Sequence, residues 1–367
     1  MQTYINTLKE HSKELITLEG KVLVDLLLNV RDSTFNLSLI PFCALYCRSS
    51  KEFFNIVDKN NQIENEINDL RNGLKIFTNK YSKGKKITLE SDFQQDNTFR
   101  NMLRFQIMKK YNFHLNLGVS FLVDGKIIFN TQLANYFLNI PKRTTQSSKM
   151  HALKIGENLG KEIASILTLH CNLTNLQEQT TFFNNIPAYG YIDYNTNKNN
   201  NFFNNEIDKE INLIILHMVS TIGFVNNLLI PVFKRKNEWL LRILYITVHN
   251  TWYGMKKVSQ HIEQNNYKET IFSNLDNDFK KDTQLLSSTF RNCMMHYDLI
   301  DKNGQPSILE EWYNPNVPFF GLVESCYNGM SFDQLFNDLF VLSQKFENLL
   351  LSNFKINPNK IRWDWDN

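Results

Sequence analysis

The chain has little that would tie it to an oxidising compartment or a structural metal. Its five cysteines, Cys43, Cys47, Cys171, Cys293 and Cys326, are odd in number and scattered. Apart from Cys43-x3-Cys47 none has zinc-ligand spacing, which argues against both a disulfide framework and a metal cluster. The segment from Met1 to Glu19 is polar and mixed in charge and lacks the apolar core of a secretory signal, so a cytoplasmic location is the default expectation. Glycine and proline are scarce, 13 and 8 residues, while Asn, Lys, Ile, Phe and Tyr abound; that bias is what AT-rich coding produces, and no chemistry is drawn from it. An excess of charge of either sign is lacking as well, with 40 Lys and Arg against 37 Asp and Glu. A net charge of +3 is a weak lean toward polyanions and does not by itself specify a nucleic-acid binder. No internal repeat is found.

What is present reads as ordinary globular protein, with 42% hydrophobic and 21% charged residues. A length of 367 residues exceeds what one small helical bundle uses, so two domains are expected. The run from Asn195 through Asn201, followed by Asn204-Asn205, has little to bury, and its amides compete with regular backbone pairing. The expected division is therefore an α+β N-terminal domain over 1–195, an Asn-rich linker or loop over 196–205, a helical bundle over 206–355 and a tail over 356–367. The apolar stretch Ile211 to Val232 resembles a membrane span in composition. Its periodicity and its His217, Asn226, Asn227 and Pro231 suit a buried bundle helix better, so no membrane partner is expected.

In the C-terminal half, four helices are predicted. The first, 206–230, carries Ile207, Ile211, Ile214, Met218 and Ile222 at three- and four-residue steps and stops at Pro231. The second, 237–264, is apolar almost all round and should be central. The third, 277–299, closes at Gly304 and Pro306, and the fourth opens with a capping box at Ser331 and Gln334. Between the last two lies an aromatic-rich connection, 301–330, able to wall a site beside the third helix. Upstream, 118–130 gives the strongest hairpin signal, with Asp124-Gly125 at its turn. Phe35 to Tyr46 and Tyr189 to Tyr194 read as further strands, and 2–28, 65–75 and 153–169 as helices.

Chemistry concentrates in the third predicted helix, at Phe290-Arg291-Asn292-Cys293-Met294-Met295-His296-Tyr297. Asn292 and His296 stand i,i+4 on one face, and Arg291 lies about 140° from His296, an offset that a long guanidinium stem can span. Cleavage of RNA without metal needs a group that titrates near neutrality and a fixed cation for the transition-state oxygens; imidazole and guanidinium supply these. On this reading His296 transfers protons, Arg291 stabilises charge, and Asn292 orients the imidazole or the phosphate. No metal or cofactor is called for.

The segment resembles the signature of the HEPN superfamily: an arginine, usually a polar residue next, then a histidine after four to six intervening positions, here Arg291, Asn292 and His296. The resemblance implies a mainly α protein whose C-terminal half is a bundle of four to five helices. It further implies a metal-independent endoribonuclease in a toxin or phage-defence setting, with a composite site in a homodimer and RNA as partner. An antitoxin or activator would then act on the N-terminal domain. The alternative is a non-catalytic HEPN module that binds nucleotide, RNA or protein. Arg242 and His249 also fit the bare spacing, but Ile243 follows the arginine and the helix is apolar, so a structural or supporting role is expected for them. Lys280 and Lys281 are candidate phosphate contacts, and Tyr297 and Trp312 candidate stacking platforms for an unpaired base. Cys293 reads as a small core residue.

Overall fold

A computed structural model describes residues 2–57, 61–78, 81–102, 117–138, 145–173, 182–196, 202–267 and 271–363. The protein is mainly helical, with one small sheet. Most of the Asn-rich tract, 197–201, lies outside the described residues. Buried apolar side chains from before and after that tract join in one connected core.

The first helix, α1 (Gln2–Asn29), leads into α2 (Ser33–Phe54). Asp32 starts α2 by accepting the Phe35 N–H at 2.7 Å, and Asn55 ends it in the left-handed conformation (φ 53°). The strand expected at Phe35 to Tyr46 is thus corrected to helix. A continuous apolar run does not by itself distinguish a buried strand from a buried helix, and here Phe35 and Leu39 through Tyr46 are all buried. Two further helices, α3 (Asn61–Gly73) and α4 (Tyr81–Met102), precede the sheet.

The hairpin forms where its turn chemistry places it. Strands β1 (Leu117–Val123) and β2 (Lys126–Asn130) pair antiparallel across Asp124 (φ 48°) and Gly125 (φ 78°), both left-handed as such a two-residue turn demands. The third strand, β3 (Gly190–Asn195), pairs with the other edge of β1, giving the order β2-β1-β3. Helices α5 (Thr131–Leu138) and α6 (Thr145–Ser165) lie between β2 and β3 in sequence.

In the second half, α7 (Lys209–Phe224) runs on through a π turn to Val232. This segment is long and apolar enough to cross a membrane, but 83% of its most apolar window is buried within the protein. It lies so close to the sheet that a Cβ on Gly223 would stand 1.9 Å from the Ile127 carbonyl oxygen. Helix α8 (Glu238–Gln264) is capped by Asn237, whose side chain accepts the Leu240 N–H at 2.9 Å, and is buried along most of its length.

The helix expected over 277–299 is much shorter. Its main α-helical part is α9 (Ser288–His296), nine residues; a single α turn over Leu275–Asp278, a 3-10 turn over Asp282–Leu285 and an irregular Leu286 (φ −91°, ψ 61°) precede it. Ser287 restarts the helix by accepting the Phe290 N–H, and Tyr297 ends it in the left-handed conformation (φ 59°), well before Gly304. The last helix, α10 (Phe332–Leu351), begins at Ser331, which accepts the Gln334 N–H at 3.3 Å. The connection before it turns on three successive left-handed residues, Phe319, Phe320 and Gly321.

Candidate active site

The position of His296 is set by what holds the end of α9. A helix leaves its last carbonyls without intrahelical partners, and burial makes that costly. Here Arg242 of α8 donates from Nη1 to the carbonyls of Cys293 (3.0 Å) and Met294 (2.5 Å), and Ser49 of α2 donates to that of Met295 (2.7 Å). Arg242 is 2% exposed and pairs through Nε with the 1% exposed Glu19 of α1 at 2.7 Å. Its guanidinium lies over the Tyr297 ring, 3.9 Å from the centroid, and the Tyr297 hydroxyl donates to the second oxygen of Glu19. Burial disfavours the charge on Arg242, yet Glu19 beside it outweighs that and raises its pKa. Arg242 is therefore a structural clamp on α9.

With the helix end fixed, the His296 ring meets α2. Its Nδ1 lies 3.0 Å from Oε2 of Glu52, and the side chain is 43% exposed. Arg48 donates to the other Glu52 oxygen at 2.8 Å, and Arg71 of α3 stands 3.8 Å from it. Burial pulls the Glu52 pKa upward, but the hydrogen bond with His296 and the charges of Arg71 and Arg48 prevail and bring it to about 2. An ionised Glu52 accepts a proton-bearing Nδ1, so Nε2 is the nitrogen left to exchange a proton with a substrate.

Arg291, Asn292 and His296 all line one groove of about 780 Å³, together with Glu52, Asp298 and Lys302. Such a volume accommodates a drug-sized or dinucleotide-sized ligand. Arg291 donates from Nη1 to the Asn292 side-chain oxygen at 2.9 Å. Orientation of the imidazole, one of the two roles expected for Asn292, is thus performed by Glu52; Asn292 holds the guanidinium instead. The connection after His296 walls the groove through Ile300, Pro306, Ser307 and Leu309.

Of the expected substrate contacts, Tyr297 is corrected and the other three fall outside the groove lining. Tyr297 is 2% exposed and committed to Glu19 and Arg242, so it offers no face to a base. Lys280 and Lys281 are exposed but are not among the residues lining the groove, and neither is Trp312, which packs over Gly329. The groove's own cations are Arg291 and Lys302. His249 lies in a cluster with Tyr245 and Tyr253; burial first, then the charge of Arg291, lowers its pKa to about 4. It is therefore a neutral ring at pH 7.

Three groove residues given a role here escaped the sequence reading: Glu52, Asp298 and Lys302. Glu52 is separated from His296 by 244 positions, and no spacing rule connects them. Asp298 was within reach, two residues beyond the histidine, and an acidic side chain beside a candidate proton-transfer group was the available signal. Comparison with protein-family models, with curated proteins and with solved structures gave no match.

Proposed function

We propose that the chain is a metal-independent endoribonuclease whose groove binds RNA and promotes attack of a ribose 2′-hydroxyl on the adjacent phosphorus, giving 2′,3′-cyclic phosphate and 5′-hydroxyl ends. The observation that carries this reading is the convergence of Arg291 and His296 on one open groove, with the imidazole held at Nδ1 by an ionised Glu52. Transesterification at phosphorus needs proton transfer and stabilisation of charge on the non-bridging oxygens. His296 Nε2 transfers the proton. Arg291, a permanent bidentate donor, takes the developing charge, and Asn292 keeps its guanidinium in register. Glu52 is a positioning residue, since it acts through the ring. Lys302 supplies attraction for a phosphate without sequence information.

The HEPN-like bundle, and with it a toxin or phage-defence setting, rests on the Arg291-Asn292-His296 pattern. In such a site the second proton-transfer group comes either from a symmetry mate or from the same chain. The test is incubation of the purified chain with RNA in EDTA: cleavage that leaves cyclic-phosphate ends and is lost in both Arg291→Ala and His296→Ala supports the proposal. Cleavage abolished by chelation, or unchanged in either variant, refutes it. RNA that stays intact but binds in an Arg291-dependent way would identify a non-catalytic module.

A further inference from the structure

The groove of a single chain presents one imidazole, and Glu52 occupies its Nδ1, so His296 can exchange only one proton with substrate at a time. The reaction needs two transfers, one from the 2′-hydroxyl and one to the 5′ oxygen. The other titratable groups that line the groove can be compared. Glu52 is already engaged, by His296 and Arg48, and is held ionised with a pKa of about 2. Burial pushes the Cys293 thiol up to about 11 and the Cys326 thiol to about 12, too high for either to be a base near neutrality. Asp301 lies five residues beyond His296 and spends Oδ1 on the N–H groups of Asn303 and Gln305, both at 2.8 Å, in closing its own turn, which leaves only its Oδ2 open. Lys302 is a cation.

Of the two carboxylates with an open oxygen, Asp298 is the one the chain carries closer to the imidazole. The left-handed Tyr297 (φ 59°) turns the chain at the end of α9, and the carboxylate two residues beyond His296 lines the same groove. Its Oδ1 is fixed by the Ile300 N–H at 3.0 Å. Among the described residues no hydrogen bond engages Oδ2.

Resting on the endoribonuclease reading, we propose that Asp298 is the second proton-transfer group: its carboxylate takes the 2′-hydroxyl proton while Nε2–H of His296 protonates the 5′ oxygen, so that one chain carries a complete site. The O2′–H bond breaks and its electron pair forms the O2′–P bond. The P–O5′ bond breaks and its pair takes the imidazole proton. Asp298 ends protonated and His296 neutral, and exchange with solvent restores both. Asp298 is exposed as a residue, and partial desolvation of its carboxylate raises the pKa, as does the charge of Asp301, against the opposing effects of the Ile300 N–H, Lys9 and His296. A carboxylate raised in this way accepts a proton more readily than a solvated one.

The test compares wild type, Asp298→Asn, Asp298→Glu and His296→Ala on a defined oligoribonucleotide in EDTA, each as the full chain. Asn preserves the acceptor for the Ile300 N–H, and a matched thermal melt confirms folding. Asp298→Asn should lose on the order of 100-fold or more in kcat. Its pH–rate profile should also lose the acidic limb, where the base must shed its proton, and keep the alkaline limb. Asp298→Glu should recover part of the rate, and a mixture of Asp298→Asn with His296→Ala should stay inactive. If Asp298→Asn keeps wild-type rate while His296→Ala is dead, Asp298 is excluded and the nuclease reading stands. If the mixed variants regain activity, the two groups act from different chains and the single-chain site is overturned. If wild type leaves RNA intact, the proposal falls together with the reading beneath it.

Discussion

Replacing Arg242 with methionine should destabilise the protein severely, and the loss can be worked out from its partners. The substitution keeps an apolar stem of similar reach but removes the charge that pairs with Glu19 and the donor that serves the Cys293 and Met294 carbonyls. Glu19, 1% exposed, would be left with the Tyr297 hydroxyl and no cation at hydrogen-bonding distance. Removing one partner of a buried pair costs about 3–5 kcal/mol, because an uncompensated charge remains inside. At about 2 °C per kcal/mol for a protein of this size, Tm should fall by roughly 6–10 °C. The double variant Glu19→Leu/Arg242→Met removes both charges and should regain at least about 1 kcal/mol over Arg242→Met alone. Only part of the loss can return, since the Met294 carbonyl is still orphaned at about 1–3 kcal/mol, while the Cys293 carbonyl keeps the Tyr297 N–H at 3.1 Å. Urea melts of the four proteins in this cycle supply the comparison. A loss below about 1 kcal/mol in Arg242→Met, or strict additivity in the double variant, would refute the claim that this pair clamps the end of α9.

Glu52→Gln keeps an acceptor for Nδ1 but removes the negative charge beside the ring; kcat on RNA should fall on the order of 10-fold with a displaced pH–rate profile, and an unchanged profile would show that Glu52 does not act through His296. Acid should weaken the fold before carboxylates titrate, because burial holds both His217 and His249 near a pKa of about 4, against about 6.5 when unfolded. Their contribution is full above about pH 6.5 and is lost as pH falls toward 4, reaching about 2 kcal/mol per ring at pH 5, so melts at pH 7.5 and pH 5 should differ by several degrees, and by less in His217→Gln. Gly223→Ala should disrupt the packing of α7 on the sheet, since its Cβ would meet the Ile127 carbonyl oxygen at 1.9 Å; wild-type expression and Tm would contradict this.

Legibility from sequence followed the range of the forces involved. The hairpin, the Ser331 cap and the long helices α1, α7, α8 and α10 were readable because each depends on neighbours a few residues away. Helix α2 was misread because its burial erases periodicity. The break before α9 was missed because the apolar stripe through Leu286, Phe290 and Met294 masks the non-helical Leu286. The Arg291-Asn292-His296 group was legible as a local pattern. Tyr297, next in sequence, stood on the apolar stripe and was also a candidate stacking platform; its left-handed backbone and its bond to Glu19 show that it points inward.

The groove also shows why the candidate chemistry could not be completed from its motif. One face of the imidazole site is built by α2, whose Ser49 and Glu52 precede the Asn-rich tract, and the other by α9, which follows it. Glu19 and Arg242 repeat that arrangement one layer deeper, joining α1 to α8 beneath the same helix end. A nine-residue helix has weak intrinsic stability, and its last turn is the part most prone to fray. Partners drawn from both halves hold that turn in place, and so the geometry of His296 depends on residues that no local pattern could have linked to it. A change in α1 or α2 that loosens Glu19, Ser49 or Glu52 should therefore reach the imidazole as directly as a change in α9 itself.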